Sequence, residues 1–165
     1  MAEEERKILP KLRGGHCFGC GSSNPIGLDL DFYRDGQYVC ADVILKKHHE
    51  GWQNMAHGGI VSTLLDEVMS WTVLCFKKAF FVTRKMEVKY IKPVLINGPL
   101  RVKGQIVEGI REPFIEAKSE IVDQQETVLA RGHGRFVEVG REKLKGVSDG
   151  MKDEMLSIMN EIADM

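Results

Sequence analysis

From His57 to about Lys77, apolar residues fall on almost every side of a helical projection. Ile60, Leu64, Val68, Trp71 and Cys75 form one stripe, and Val61, Leu65, Thr72 and Phe76 form a second. A surface helix carries one such stripe; a helix with two is enclosed on most sides. About 20 residues make a rod about 30 Å long, so the rest of the chain must supply a wrapping. The pattern on either side supplies strands. Downstream, residues alternate with period two in Val82 to Ile91 (closed by Pro93), Leu100 to Ile110, Phe114 to Val122 and Val128 to Val139. Upstream, Leu28, Leu30 and Phe32 alternate with Asp29 and Asp31, Asp35-Gly36 makes a tight turn, and Tyr38 to Leu45 returns. The order is strand, strand, long helix, four strands. That is an α+β layout: a curved, mostly antiparallel sheet wrapped round one long central helix.

At 165 residues the chain holds one domain with a proper core. Residues 1–15 read as an N-terminal arm, loose or in a short helix, 16–140 as the domain, and 141–165 as a tail. From Ser148 the tail carries Met151, Met155, Ile158, Met159 and Ile162 at helical spacing. It should form an amphipathic helix capped by Ser148 or Asp149, packed on the body or on a partner. A formal net charge of −1 gives no reason to expect nucleic acid. No apolar run is expected to reach the length of a membrane span, and the acidic Met1-Ala2-Glu3-Glu4-Glu5 is unlike a secretory or mitochondrial leader. The expectation is a cytoplasmic protein without a membrane partner, its four cysteines, Cys17, Cys20, Cys40 and Cys75, kept as free thiols.

The chemistry concentrates at the start of the central helix. A helix N-terminus presents unpaired backbone N–H groups and the positive end of a dipole. Gly58 and Gly59 leave that mouth unobstructed, so a carbonyl oxygen that turns negative can lodge there as in an oxyanion hole, with His57 adding a hydrogen bond or holding the turn. Within the helix Ser62, Thr63, Asp66 and Ser70 make a narrow polar line, and Glu67 lies about 100° round from Asp66. A carboxylate on a buried helix is costly unless paired or functional. Asp66 either serves chemistry or reaches solvent or a neighbouring strand.

Nine residues separate His57 from Asp66, two and a half turns or about 13 Å along the axis and on opposite sides. A base and an oxyanion hole must both stand about 3 Å from one reacting centre. One helix cannot arrange this. Two antiparallel copies across a two-fold axis can, each mouth facing the other's carboxylate. A catalytic reading therefore requires a homodimer, or a dimer of dimers, with shared sites.

His57-Gly58-Gly59, six residues, then Asp66 resembles the motif of the hotdog-fold acyl-CoA thioesterases, in the branch of the phenylacetate-pathway and 4-hydroxybenzoyl-CoA-type enzymes. Thr83, Tyr90 and Ile91-Lys92-Pro93 match the strand that follows. Val128-Leu129-Ala130-Arg131-Gly132 with Phe136 resembles the closing strand. Cys17-Phe18-Gly19-Cys20-Gly21 with Asn24-Pro25 and Gly27-Leu28 resembles the opening of one subgroup. The resemblance spans about residues 16–139. It implies hydrolysis of an acyl-CoA, with Asp66 as general base or nucleophile, Gly58 and Gly59 polarising the thioester carbonyl, His57 supporting them, and Thr83 positioning water. Many members hold an Asn or Gln six residues before the His; here Gly51 stands there, with Gln53 or Asn54 as substitutes. Arg84, Lys85, Lys89 and Lys92 are candidates for the coenzyme A phosphates, and Trp52, Trp71, Phe80 and Phe81 for an acyl or aryl pocket or for core.

No metal or organic cofactor is needed for such a reaction. Other readings are a non-catalytic acyl-ligand binder on the same fold and a hydratase, for which no Asp and His pair is spaced along one segment. His16-Cys17-Phe18-Gly19-Cys20 is a possible metal or redox module. It lacks a second Cys-x-x-Cys, and His48 and His49 lie on a loop, so cysteines of a structural turn are the expectation. His133, between Gly132 and Gly134, is read as a strand residue near a groove or interface.

Overall fold

The structure, a computed structural model, describes residues 6–165; the acidic stretch before them lies outside the described residues. The central helix α1 runs Gly58–Lys77, beginning one residue after the histidine that caps it. Seven strands surround it: β1 (Lys7–Ile8), β2 (Tyr33–Asp35), β3 (Tyr38–Ile44), β4 (Phe81–Tyr90), β5 (Pro99–Val107), β6 (Phe114–Val122) and β7 (Val128–Glu138). They form one sheet in the order β1-β2-β3-β5-β6-β7-β4, and every neighbouring pair is antiparallel. The antiparallel sheet round one central helix expected from the alternating pattern is present, as is the hotdog architecture that the resemblance implies.

The helix sinks into the sheet because the sheet makes room for it. Gly104, Ser119 and Gly132 face one another in register across β5, β6 and β7. A Cβ on Gly104 would stand 2.3 Å from Thr72 Oγ1 and 2.9 Å from the Val68 carbonyl oxygen; one on Gly132 would meet Ser119 Oγ at 2.6 Å and Leu65 Cβ at 3.2 Å. This line of missing side chains is a trough that holds Leu65, Val68, Met69 and Thr72. Thr72 turns its hydroxyl back to donate to the Val68 carbonyl (2.6 Å), which satisfies that buried group.

Two readings of the sequence change. Leu28–Phe32 is not paired as a strand, although Leu30 and Phe32 enter the core. Its backbone is taken by the loop before it: Leu28 N–H donates to the Phe18 carbonyl (2.8 Å) and Leu30 N–H to the Gly19 carbonyl (3.0 Å), with Asp29 at φ 47° between them. The arm is not loose at Lys7–Ile8, which pairs with Tyr33 and Arg34 to extend the sheet. A third correction concerns length: α1 is long and apolar enough to cross a membrane. Its apolarity is accounted for by the sheet that buries it, with ten of its side chains fully enclosed.

The tail forms helix α2 (Asp149–Ala163), capped by Ser148, whose hydroxyl accepts from Met151 N–H (3.2 Å). Ile158, Met159 and Ile162 join the same apolar cluster as Trp71 and Leu74, while Met151 stays exposed. The stripe packs on the body.

Candidate active site

The chain reaches α1 through a clamped loop. His57 N–H donates to the His49 carbonyl (2.8 Å) and Ala56 N–H to the Val94 carbonyl (2.8 Å), so the residues before the helix cannot slide. His57 is extended (φ −61°, ψ 138°) and its Nδ1 accepts from Gly59 N–H at 2.9 Å, a side-chain cap. Ile60 and Val61 N–H groups both reach the His57 carbonyl. Gly58 N–H is therefore the amide of this first turn with no partner among the described residues. The resemblance implies Gly59, with Gly58, as the donor; here the Gly59 N–H is occupied by the histidine and Gly58 is free. The mouth opens on a cleft of about 450 Å³ lined by Gly51, Trp52, Ala56, His57 and Gly58. A larger hollow of about 580 Å³ lies between Asp42 and Gln124 at the β3–β5 end, with neither the helix mouth nor Asp66 in it.

The tip of β4 is pinned to this mouth. Tyr90 Oη donates to the Gly58 carbonyl (3.0 Å) and lies 2.8 Å from Ser62 Oγ, which completes the chain of hydroxyls. Sequence reading used Tyr90 only as a motif position; its place seven residues after Thr83 was the signal. Asp66 lies further along the helix. Its Oδ1 is buried with no hydrogen-bond partner. Burial raises its carboxyl above the ordinary carboxylate value, and the Thr83 hydroxyl beside it works in the opposite direction. Thr83 itself is exposed, on an edge strand. Thr83 and Asp66 are thus brought together, while the mouth of the same helix is a separate feature two and a half turns away.

Glu67 points elsewhere. Cys17 Sγ donates to its Oε1 at 3.4 Å, and the Cys20 sulfur lies in the same cluster. Burial, then the Cys17 sulfur, pushes the Glu67 carboxyl up to about 8. The Cys20 thiol, with the backbone N–H groups of Cys20 and Gly19, holds Cys17 down at about 5, and Cys20 is raised in return. Sequence reading placed Glu67 off the polar line of the helix and assigned it no partner. Nothing local announces the contact, since the cysteines are fifty residues away.

The remaining candidates divide. Gln53 and Asn54 are exposed; Asn54 sits at φ 65°, its N–H bonded to Glu50 Oε2 (2.8 Å) and its carbonyl to Ile96 N–H (3.2 Å), so it shapes the turn before the mouth. Arg84, Lys85 and Lys89 are exposed along β4. Arg84 occupies a bulge between Thr83 and Lys85, and Lys85 pairs with Glu87 at 2.9 Å. Trp71 is core, stacked on Phe32 with centroids 5.2 Å apart, whereas Trp52 lies 82% exposed at the cleft. His133 lies in β7, its Nε2 3.0 Å from Glu116 Oε2.

Comparison with known proteins places this architecture. Residues 53–130, which contain the helix mouth, Asp66 and Thr83, match the model of the thioesterase superfamily. No curated protein is similar enough in sequence to match. Among solved structures, a thioesterase superfamily protein superposes with a TM-score of 0.70 at 21% identity over 74% of this chain; the match spans 60% of that protein, less than two thirds of its length. The Escherichia coli PaaI protein of the phenylacetic acid degradation operon gives 0.60 at 18% identity, covering 68% of this chain and 81% of that one. A hypothetical thioesterase of Streptococcus pneumoniae, solved with coenzyme A, gives 0.58 at 23% identity, covering 65% and 84%. The His-Gly-Gly mouth and Asp66 lie inside the segment that matches the thioesterase superfamily model, and the seven-stranded wrap around α1 is the hotdog fold that these solved structures share.

Proposed function

We propose that the chain hydrolyses an acyl-CoA thioester to the free acid and coenzyme A, at a site shared by two copies. The observation that carries this reading is the buried, unpartnered Oδ1 of Asp66 beside the Thr83 hydroxyl. A carboxylate oxygen kept from both water and protein partners is costly in a merely structural role. In the proposed site it activates water, or attacks the carbonyl itself, while the Gly58 N–H of the partner subunit meets the carbonyl oxygen as it becomes negative. Gly59 N–H joins it only when the His57 ring turns away. A thioester is reactive enough for these groups to suffice. The coenzyme A in the pneumococcal neighbour supports the substrate class.

The shared site is supported by β4. This strand ends the sheet, so one row of its backbone groups is unpaired, and Val82, Tyr90 and Ile91 are exposed on or beside it. A long bare edge is a pairing surface that folded proteins rarely leave open. Two β4 edges meeting across a two-fold axis bring two α1 helices side by side and antiparallel. Each mouth then approaches the other's Asp66.

The test is release of free coenzyme A across short-chain, long-chain and aryl acyl-CoAs. Asp66→Ala and Asp66→Asn should lower kcat by about 10²–10⁴-fold, the contribution typical of a general base. Undiminished turnover in Asp66→Ala would sink the mechanism. Tight binding of an acyl-CoA by wild type with no hydrolysis of any member of the panel would make the chain an acyl-ligand binder instead.

A further inference from the structure

The loop at Cys17–Cys20 is organised around a side chain that the proposed hydrolysis does not use. Among the described residues, Cys17, Cys20 and Glu67 are the one group of three metal-ligating side chains whose ligand atoms all lie within 4.8 Å of one another. Cys17 Sγ and Glu67 Oε1 are 3.4 Å apart. Around a tetrahedral zinc ion, with Zn–S about 2.3 Å and Zn–O about 2.0–2.2 Å, neighbouring ligand atoms stand roughly 3.5–4 Å apart. The Cys17–Glu67 pair is already close to that spacing, and Cys20 lies within 4.8 Å of both.

The loop is built to hold this arrangement. A Cβ at Gly19 would fall 2.1 Å from Glu67 Cγ, and one at Gly21 would fall 2.5 Å from Cys17 N. Any side chain at residue 19 would push the Glu67 carboxylate out of its present position. Gly21 N–H closes the turn onto the Cys17 carbonyl (2.9 Å), Asn24 Nδ2 donates to the His16 carbonyl (3.2 Å), and Leu28 and Leu30 bond back to Phe18 and Gly19. The turn thus brings both cysteine sulfurs and the carboxylate together, the arrangement of a metal-binding Cys-x-x-Cys turn with a third ligand from the helix.

We propose that Cys17, Cys20 and Glu67 bind one thiophilic divalent cation of the zinc class, with the fourth position open to water on the exposed side of Cys17. Three acidic groups this close cannot all ionise without a compensating positive charge, and a dication supplies it as it displaces their protons. A Cys17–Cys20 disulfide would satisfy neither the carboxylate nor its burial. That is why the cation is preferred to a dithiol switch. Glu67 lies about 100° round the helix from Asp66, so the cation ties the N-terminal loop to a different side of α1 from the one that carries Asp66.

The test is made on the full chain purified without an affinity tag or chelator, in the presence of a reductant. Elemental analysis should find about one zinc per chain. After chelation, titration with Co²⁺ should bring up the sulfur-to-cobalt charge-transfer band and the intense visible bands of tetrahedral cobalt. Cys17→Ser should abolish the charge-transfer band or reduce it strongly. Glu67→Gln should weaken cobalt affinity by about 10-fold or more, the loss that even an outer-shell partner brings. Wild-type protein that takes up no cobalt and whose cysteines titrate as free thiols or as a disulfide overturns the proposal, without needing any variant to fold. A cobalt spectrum unchanged in Cys17→Ser, or an affinity unchanged in Glu67→Gln, overturns the assignment of the ligands. None of these readouts depends on acyl-CoA hydrolysis.

Discussion

At the scale of single residues, the mouth of α1 offers a clean substitution. Gly58 is the first helical residue, where proline is tolerated because its missing N–H has no intrahelical role. His57 already has the extended backbone that a following proline demands. Gly58→Pro should therefore keep the fold, with Tm little changed, yet remove the one free amide of the turn. A loss of about 10²–10³-fold in kcat is expected, as for deletion of an oxyanion-hole donor; full activity in a folded Gly58→Pro protein would move the oxyanion site elsewhere. His49 gives a pH effect on stability. Its ring is buried, its Nδ1 accepts from Lys46 N–H (2.9 Å), and its Nε2 has no partner. Burial, with the neighbouring His48, holds its pKa below the ordinary 6.5. The folded state thus binds fewer protons than the unfolded one just below pH 6.5, and stability present above that value is lost as pH falls toward the folded pKa. Tm should drop between about pH 7.5 and pH 5.5, and drop less in His49→Asn, which keeps an acceptor but does not titrate. The sequence made the spacing of His57, Gly58, Gly59 and Asp66 legible, because helical geometry converts spacing into direction. It did not show that His57 occupies the Gly59 amide, since histidine is not a usual cap. Nor did it show what Glu67 faces, since that depends on where a distant loop comes to rest.

At the scale of elements, helix and strands followed from periodicity to within a residue or two over most of the chain, with β6 read at its observed bounds. The failures were at Leu28–Phe32 and Lys7–Ile8. In both, pairing is decided by which backbone groups lie within reach, and alternation of side chains carries no trace of that. The depth at which α1 sits was also illegible, because it depends on glycines from separate strands falling into register. Gly104→Ala should cost about 1–3 kcal/mol by forcing a methyl group against Thr72 and the Val68 carbonyl. Gly98→Ala is the control: its Cβ would meet nothing within 4 Å and its φ needs no glycine, so it should be neutral or stabilise by up to about 1 kcal/mol. Thermal denaturation of the two variants checks both values. Equal effects would mean that the trough does not set the position of the helix.

At the scale of the whole molecule, the sheet order puts β4 at a free edge, seven of its ten residues exposed despite an alternating sequence. Alternation predicts that one face of a strand is covered without saying by which chain. Light scattering should find a dimer or a multiple of one, and a strict monomer that is fully active would contradict the shared site. The separation of the helix mouth from Asp66 along α1 has a further consequence, a genetic one. Two differently crippled chains ought to rescue each other. Asp66→Ala retains a sound mouth and Gly58→Pro retains a sound carboxylate, so a mixed pair rebuilds one intact site and wastes the other. Equal amounts, refolded together, should recover about a quarter of wild-type activity, although each protein alone retains about a hundredth or less.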